Sequence, residues 1–280
     1  PIRGGLRRRR ALAERLVLRR IRERTGLDQA HHLVSGAAPM GVETLRFFHA
    51  LGMEISEGYG QTENTAMATM NPPRRVRFGT VGLPTPGVEL RIAGDGEVLT
   101  RGSTVFPGYF KDGDGTREVL DSEGWLHTGD IGELDHDGYL RITGRKKDLI
   151  ITAGGKNIAP SVIEGRLTEH RLVSHAVCIG DRRPYVIALL TVDSEEAARW
   201  GAERGLGQSS EQPARSPELR AELDRWVAEV NQGLSRPEQV KRWRLLPGEF
   251  AVGRELTPTL KVRRSVIAEL YAAEVEALYA

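Results

Sequence analysis

The feature that most constrains this sequence is a set of four short segments in a fixed order, three of which contain glycine. The first is EGYGQTE, in which a tyrosine lies between two glycines and is followed by three polar residues. Short glycine-containing strings recur by chance, so each segment alone carries little weight. Their combination in one order is what makes the signal specific. The segments are Glu57–Glu63, GWLHTGDIG at Gly124–Gly132, GRKKDLIITAGGKNIAPSVIE at Gly144–Glu164 and ELTPTLKVRR at Glu255–Arg264.

Composition limits the class of protein. A chain of 280 residues has room for about two domains of roughly 100–200 residues each. With 39% hydrophobic and 28% charged residues, it is typical of globular proteins. The single cysteine, Cys178, excludes an internal disulfide and a cysteine-based zinc cluster, and fits a reducing cytosol. We therefore expect a cytoplasmic protein, and the net charge of +2 indicates no particular partner.

A strand–helix–strand pattern leads into the tyrosine segment. HHLVSG at residues 31–36 predicts a short buried strand, Val42–Leu51 a helix, and MEISEGYG at residues 53–60 a second strand. Parallel strands in this order place ligands at their carboxyl ends, where Gly36 and Gly58 fall.

The pattern of apolar and turn-forming residues changes in the later parts of the chain. From Thr80, short alternating stretches with turns at Gly94–Gly96 and Asp137–Gly138 predict a small antiparallel, barrel-like unit. Beyond it we expect a mixed α/β domain with strands near 174–180 and 184–193 and helices near 160–169 and 262–278. Residues 194–236 are polar and helical in pattern, which predicts a helical insertion with a flexible loop.

In combination, the four segments resemble the adenylate-forming superfamily: acyl-CoA synthetases, firefly luciferase and peptide-synthetase adenylation domains. The string GRKKDLI…GGKNIAPSVIE is most similar to the long-chain fatty acyl-CoA synthetase branch. The resemblance implies an α/β multidomain protein. Residues 1–146 would be the C-terminal portion of the large AMP-binding domain, and residues 147–280 a mobile α/β lid domain with the insertion at 194–236.

The Ser/Thr/Gly-rich phosphate loop that such enzymes carry upstream of the tyrosine segment is not in this sequence. On this resemblance we expect the C-terminal part of a larger ligase, inactive or impaired by itself.

The resemblance implies an AMP-forming acid–thiol ligase of fatty acid metabolism. A carboxylate is a poor acylating agent, because its leaving group would be oxide. Transfer of AMP from ATP gives an acyl-adenylate, which the thiol of CoA then displaces. The implied ligands are ATP or AMP, Mg²⁺, a fatty acid and CoA. Three alternatives stay open: an aryl- or short-acyl-CoA ligase, a peptide-synthetase-type adenylation domain, and a catalytically silent nucleotide-binding fragment.

The resemblance also assigns roles to residues near the nucleotide. Tyr59 would stack on adenine, Thr62 would meet the α-phosphate, and Glu63 would hold Mg²⁺. Asp130 and Arg145 would hold the ribose. The full predicted nucleotide-binding set is Gly36, Ala37, Ala38, Pro39, Gly58, Tyr59, Gly60, Gln61, Asp130, Ile142 and Arg145.

In the C-terminal domain, Lys261 is the predicted catalytic residue, because an ammonium on a long stem can offset charge that grows in the transition state. Thr257 and Pro258 would stiffen its approach. Many relatives have glycine where this chain has Leu260, a variation that fatty acyl-CoA synthetases often share. Lys147 would be the hinge. The predicted mobile loop on the CoA side consists of Gly154, Gly155, Lys156 and Asn157, and Arg263 and Arg264 are expected on a solvated face.

An arginine-rich stretch predicts an amphipathic helix over residues 6–24, with Gly26 as its stop. It lacks aromatic residues, so we expect a solvated face and no nucleic-acid binding, with transient contact at a membrane surface as the second expectation. The sequence does not determine the acyl chain length or the oligomeric state.

Overall fold

The computed structural model describes residues 11–38, 40–205 and 216–280. The chain divides into two compact units between Ile142 and Thr143. Within the described ranges, no helix is long and apolar enough to cross a bilayer.

The helices are α1 (residues 11–24, π-helical over Glu14–Leu18 and α-helical over Arg19–Arg24), α2 (Val42–Ala50), α3 (Gly113–Val119), α4 (Pro160–Leu167), α5 (Ser194–Glu203), α6 (Pro217–Gln232), α7 (Arg264–Leu270) and α8 (Ala272–Tyr279). Single 3₁₀ turns occupy Thr62–Asn64 and Lys146–Asp148.

The strands are β1 (Leu33–Ser35), β2 (Ile55–Tyr59), β3 (Thr69–Met70), β4 (Leu83–Pro84), β5 (Val88–Ile92), β6 (Glu97–Gly102), β7 (Leu126–Leu134), β8 (Leu140–Arg145), β9 (Ile150–Ile151), β10 (Asn157–Ile158), β11 (Val173–Ile179), β12 (Val186–Val192) and β13 (Val240–Leu245).

The first sheet contains the predicted strand–helix–strand element. Strands β1 and β2 are parallel, with Leu33 opposite Ile55, and α2 connects them. The prediction that β1 is buried is wrong: Val34 is 58% exposed, because this three-residue strand is the outermost of the order β1-β2-β3-β4.

Helix α1 is observed over the described part of the predicted range, and residues 6–10 lie outside the described residues. It ends as expected at Gly26, whose φ of +70° lets the Leu27 N–H reach the Arg22 carbonyl at 2.8 Å. The apolar side chains of Leu12 and Leu16 are 59% and 51% exposed.

The second sheet is the predicted antiparallel unit, with strand order β5-β6-β7-β8. Its tight turns fall where the glycines predict them, since Gly96 and Gly138 have φ of +87° and +83°. Burial alternates along β7 from Leu126 to Gly132, whereas the first four residues of β6, Glu97–Thr100, are all buried.

The second unit is built on a sheet of order β11-β12-β13, in which β11 is antiparallel and β13 parallel to β12. The predicted insertion is integral to this unit, because α5 and α6 connect β12 to β13 and cover the sheet. Residues 206–215 between them, which include most of the predicted flexible loop, lie outside the described residues. The core residues that the two helices supply are Ala197, Trp200, Leu219, Leu223, Val227 and Val230.

Strand β13 has no counterpart among the predicted elements. Its buried side chains, Val240 and Trp243, are three residues apart, so the two-residue alternation that signals a strand is broken. A register shift at Val186–Ile187 of β12 accompanies this irregularity. The helix predicted near 262–278 is two helices, α7 and α8, which meet at Tyr271 with φ of −110° and ψ of +30°.

Candidate active site

Two predicted site residues that lie 71 positions apart are in direct contact. Tyr59, the last residue of β2, donates its hydroxyl hydrogen bond to the Asp130 Oδ2 at 2.6 Å. Asp130 is only 3% exposed and lies within β7. The residue before it, Gly129, is in the left-handed region at φ of +69° while the strand continues through it.

The glycines around Tyr59 are required by the protein's own packing. A Cβ on Gly60 would lie 2.2 Å from the Ala66 carbonyl carbon, and one on Gly58 would lie 3.2 Å from the Thr69 oxygen. Both glycines belong to the predicted nucleotide-binding set. The structure shows that they first allow the chain to fold back beside the tyrosine.

The turn after β1 lies beside the same strand. A Cβ on Gly36 would lie 3.2 Å from the Gly58 oxygen, and Ala37 has a φ of +68°. Glu57 holds the far end of this turn, because its Oε1 accepts the Met40 N–H at 3.2 Å. Burial raises the pKa of the Glu57 carboxyl, and the Met40 hydrogen bond opposes the rise. Ala38 is exposed, and the predicted Pro39 lies outside the described residues.

The predicted phosphate and metal residues lie on the 3₁₀ turn that follows Tyr59. Gln61 and Asn64 form a capping box at its start, which fixes the turn. Thr62 is exposed, and Glu63 is half-buried with its Oε1 accepting the Tyr109 hydroxyl at 2.9 Å. Burial and the Glu63 carboxylate raise the pKa of Tyr109, so its hydroxyl stays a donor.

This donor set suits a magnesium ion that is held mainly by phosphates. Mg²⁺ usually takes one or two protein carboxylates and completes its shell with phosphate oxygens and water. In the described residues, no three His, Cys, Asp or Glu side chains are grouped to hold a metal by themselves. Glu63 therefore fits as the one protein carboxylate of such a shell.

The sequence interpretation missed Glu97, which supports Asp130. Glu97 is 5% exposed, and its Oε1 accepts the Gly129 N–H at 2.9 Å. Its Oε2 lies 3.3 Å from the His127 Nδ1. The sequence offered one signal: Glu97 directly precedes the strand-forming residues Val98, Leu99 and Thr100. In the structure all four residues are buried.

The remaining nucleotide-site residues lie near the division between the units. Ile142 is half-buried in β8, at the end of the first unit. Arg145 is the exposed last residue of the same strand and belongs to the second unit. Lys147 follows it, exposed, in the middle of a one-turn 3₁₀ helix.

The predicted CoA-side loop is the turn of the β9–β10 hairpin. Thr152 closes it, because its N–H donates to the Lys156 carbonyl at 3.1 Å and its Oγ1 accepts the Lys156 N–H at 3.2 Å. Gly155 has a φ of +71°, and Gly154 through Asn157 are exposed. The predicted loop is thus a hydrogen-bonded turn with one glycine in the left-handed region.

A cavity of about 630 Å³ opens beside this turn, within the second unit. Four of its lining residues are basic, and none of the described residues that line it is acidic. A wall of this kind attracts anions such as phosphate groups. The basic residues are Lys156, Arg236, Lys241 and Arg242.

Lys261 is exposed and is the last residue of a closed turn. Thr257 makes the closure, with its N–H donating to the Lys261 carbonyl at 2.8 Å and its Oγ1 accepting the Lys261 N–H at 3.0 Å. Leu256 and Val262 pair across the base of the turn. The backbone of Lys261 is therefore fixed while its side chain extends into solvent.

The backbone conformation of Leu260 explains why glycine suits the position before the lysine. Leu260 is in the left-handed region, with φ of +61°, and its side chain is 64% exposed. Glycine reaches this region without the steric cost that a Cβ imposes.

The expectation of a solvated face holds for Arg263, which is exposed, and is wrong for Arg264. Arg264 makes a bidentate ion pair with Glu164, at 2.6 and 2.8 Å. It is drawn inward because a partly buried carboxylate requires a cation or hydrogen bonds.

Comparison with known proteins identifies the family of this chain. The model of the AMP-binding enzyme family matches residues 10–110, and that of the AMP-binding enzyme C-terminal domain matches residues 147–280. The chain belongs to the AMP-binding enzyme family.

Similar curated proteins of this family include a long-chain-fatty-acid–CoA ligase, FadD15, of Mycobacterium tuberculosis (strain ATCC 25618 / H37Rv). It is 43% identical over 284 residues, which cover 99% of this chain and 47% of the relative. The ligase ACSBG1 of Rattus norvegicus is 36% identical, over 96% of this chain and 41% of its own length. The chain thus spans about half the length of the curated relatives it matches.

The fold is also found in the adenylation domain of a carboxylate reductase from Mycobacterium chelonae. That structure superposes with a TM-score of 0.72 at 24% identity, over 96% of this chain and 41% of that one.

We expect Leu260→Gly to stabilise the protein by up to about 1 kcal/mol, because it removes a left-handed Cβ. Leu260→Val should destabilise it by roughly 1 kcal/mol, because a β-branched residue suits this region least. The measurement is chemical denaturation. The matched control is Leu270→Gly, an exposed leucine at the end of α7, which should be destabilising. If both glycine variants lost the same stability, the backbone argument at Leu260 would be wrong.

Proposed function

We propose that this chain is part of an AMP-forming fatty acid–CoA ligase, in which ATP activates the acid as an acyl-adenylate and CoA then takes the acyl group. The observation that carries the proposal is the contact between Tyr59 and the buried Asp130. It joins the two predicted adenosine-binding residues, 71 positions apart, at one point of the first unit. The names of the similar curated proteins support a long-chain fatty acid as the substrate.

The adenosine end of the site consists of an aromatic face and a carboxylate. Tyr59 offers its ring to adenine, and its hydroxyl holds the Asp130 carboxylate in place. Asp130 accepts hydrogen bonds from the ribose hydroxyls, as a carboxylate does in other nucleotide sites. Ile142 packs beside the base, Arg145 holds the other edge of the ribose, and the turn residues Gly36, Ala37 and Ala38 line the opposite wall.

The phosphate end uses the turn after Tyr59. Thr62 donates its hydroxyl to the α-phosphate, beside Gln61. Glu63 supplies a carboxylate oxygen to Mg²⁺, which when bound neutralises phosphate charge. Tyr109 keeps the Glu63 side chain in one orientation.

Lys261 serves the first half-reaction. Its ammonium reaches the α-phosphate and the acid's carboxylate and offsets the negative charge that develops as AMP is transferred. The closed Thr257–Lys261 turn supports this role, because a fixed backbone reduces the freedom that the side chain loses on binding.

CoA is bound beside the β9–β10 turn. Its phosphate groups match the basic cavity of Lys156, Arg236, Lys241 and Arg242, and Gly154–Asn157 lies at the rim through Gly154 and Lys156. One acyl-adenylate site then serves two steps if the second unit rotates between them, with Lys147 as the hinge. The exposed 3₁₀ turn at Lys146–Asp148 suits that role, because its backbone can change without exposing a core.

We expect Tyr59→Ala to abolish AMP binding by the chain, because a base stacked on an aromatic ring contributes about 1–3 kcal/mol. Tyr59→Phe should bind more weakly than the natural protein, because it keeps the ring and loses the hydroxyl that holds Asp130. Calorimetry with AMP or an acyl-adenylate analogue measures both. The control is Tyr139→Phe, which loses a hydroxyl bonded to the Arg75 carbonyl and should bind normally. Equal binding by all four proteins would exclude Tyr59 from the site.

Lys261→Ala should slow adenylation by about 10²–10³, the usual cost of losing one preorganised charge. Thioester formation from supplied acyl-adenylate should be preserved. Lys241→Ala in the basic cavity should leave adenylation normal and impair thioester formation, through a raised KM for CoA. The assays are pyrophosphate exchange and CoA consumption on the natural protein that contains this chain. Normal exchange in Lys261→Ala would refute the catalytic assignment.

Lys147→Pro should suppress thioester formation while adenylation stays measurable, because proline fixes φ near about −65° and prevents the backbone change. Lys147→Ala removes the same side chain without that restriction and should be nearly normal in both steps. The same pair of assays applies. No loss in either step with proline would exclude Lys147 as the hinge.

A further inference from the structure

The open edge of the second unit's sheet is covered by an ion pair. Strand β11 is at the edge of the order β11-β12-β13, so half of its backbone groups face away from β12. At Cys178 these groups are both bonded by the Glu164–Arg264 pair. The Cys178 N–H donates to the Glu164 Oε1 at 2.7 Å, and the Cys178 carbonyl accepts the Arg264 Nη1 at 2.8 Å. We call Glu164, Arg264 and the Cys178 backbone the clasp.

The clasp is well formed and shielded. The guanidinium of Arg264 meets both carboxylate oxygens of Glu164, at 2.6 and 2.8 Å. The exposed fractions of the two side chains are 27% for Arg264 and 15% for Glu164. A partly buried bidentate pair holds its two side chains in one geometry, whereas an exposed ion pair usually contributes little.

The clasp joins the two functional segments of the unit. Glu164 is on α4, which begins two residues after β10 and therefore follows the Gly154–Asn157 turn directly. Arg264 is three residues after Lys261. We call the Thr257–Lys261 turn the lysine turn. Its other end is held by Glu255, which is 2% exposed and whose carbonyl accepts the Arg263 N–H at 2.8 Å.

We propose that the clasp is a positioning device for Lys261, which sets the direction of the lysine turn relative to the sheet and to the Gly154–Asn157 turn. This inference rests on the proposed role of Lys261 in adenylation. Glu164 and Arg264 act through the lysine and touch no reactant. Removing either partner leaves the other charge without its partner and frees one end of the turn.

The first test is local hydrogen exchange in the natural protein. Arg264→Met and Glu164→Gln should each raise amide exchange in the turn, at Thr257, Leu260 and Lys261, by about tenfold. Exchange in β12 should stay unchanged. An unchanged turn, or an equal rise in β12, would show that the clasp only contributes to overall stability and would overturn the proposal.

The second test separates the half-reactions. Both variants should lower kcat for pyrophosphate exchange by about 10- to 10²-fold with an unchanged KM for ATP, because a small misplacement of a catalytic group has that effect. Thioester formation from supplied acyl-adenylate should be preserved. Arg264→Lys should recover part of the loss, and the double variant should be no worse than the more severe single one. Equal loss in both half-reactions would overturn the positioning role.

The matched control is Arg183→Met. Arg183 pairs with Glu276 of α8, so this variant breaks another arginine–glutamate pair that holds the C-terminal helices of the same unit. The hydrogen bond, ion pair and ring contact described for the Arg183 side chain go to Glu276 and Tyr279 of α8, not to the lysine turn. Amide exchange in that turn and the rate of pyrophosphate exchange should therefore both be normal in Arg183→Met. If Lys261→Ala itself adenylates normally, the proposed function fails. If Lys261→Ala is selectively defective while the clasp variants are not, only the clasp proposal fails.

Discussion

The first unit depends on one hydrogen bond between two sheets. Tyr59 ends a strand of the parallel element, Asp130 lies in the antiparallel sheet, and their side chains meet at 2.6 Å. A carboxylate that is 3% exposed must be bonded on most of its surface, because burying an unpaired charge is costly. The tyrosine hydroxyl meets part of that need and in doing so fixes the position of its own ring.

That contact requires the chain to pack very closely around it. A Cβ on Gly60 would overlap the Ala66 carbonyl, and one on Gly82 would lie 1.9 Å from the Met70 carbonyl carbon. Gly82 also bonds across to the antiparallel sheet, since its carbonyl accepts the Leu140 N–H at 2.8 Å. The two sheets of this unit are therefore held by backbone contacts that only glycine permits, with the tyrosine–aspartate bond between them.

The sequence predicted the elements whose pattern is local. The strand–helix–strand element, the antiparallel turns and the strands β11 and β12 each follow from alternation and turn residues within a few positions. Strand β13 was missed because an extra residue, Lys241, lies between Val240 and Arg242, which pair with the consecutive residues Val186 and Ile187 of β12, and it breaks the alternation. The inward direction of Arg264 was missed for a related reason: its partner, Glu164, is 100 positions earlier, and no local pattern reports such a pairing. Among the candidate site residues, the contact of Tyr59 with Asp130 followed only from resemblance, since nothing in either segment indicates the other.

Glutamates that carry no ligand role organise the site segments, and they share one physical task. Each accepts a backbone N–H from another part of the chain, and an ionised carboxylate suits this because it only accepts. Glu57, Glu164 and Glu255 are the first or last residues of three of the four sequence segments, and Glu97 supports the remaining one. The N–H groups accepted by Glu57, Glu97, Glu164 and Glu255 belong to Met40, Gly129, Cys178 and Ala251, respectively. The four segments are therefore tied to other parts of the chain by glutamate–backbone hydrogen bonds, in addition to any ligand contact they make.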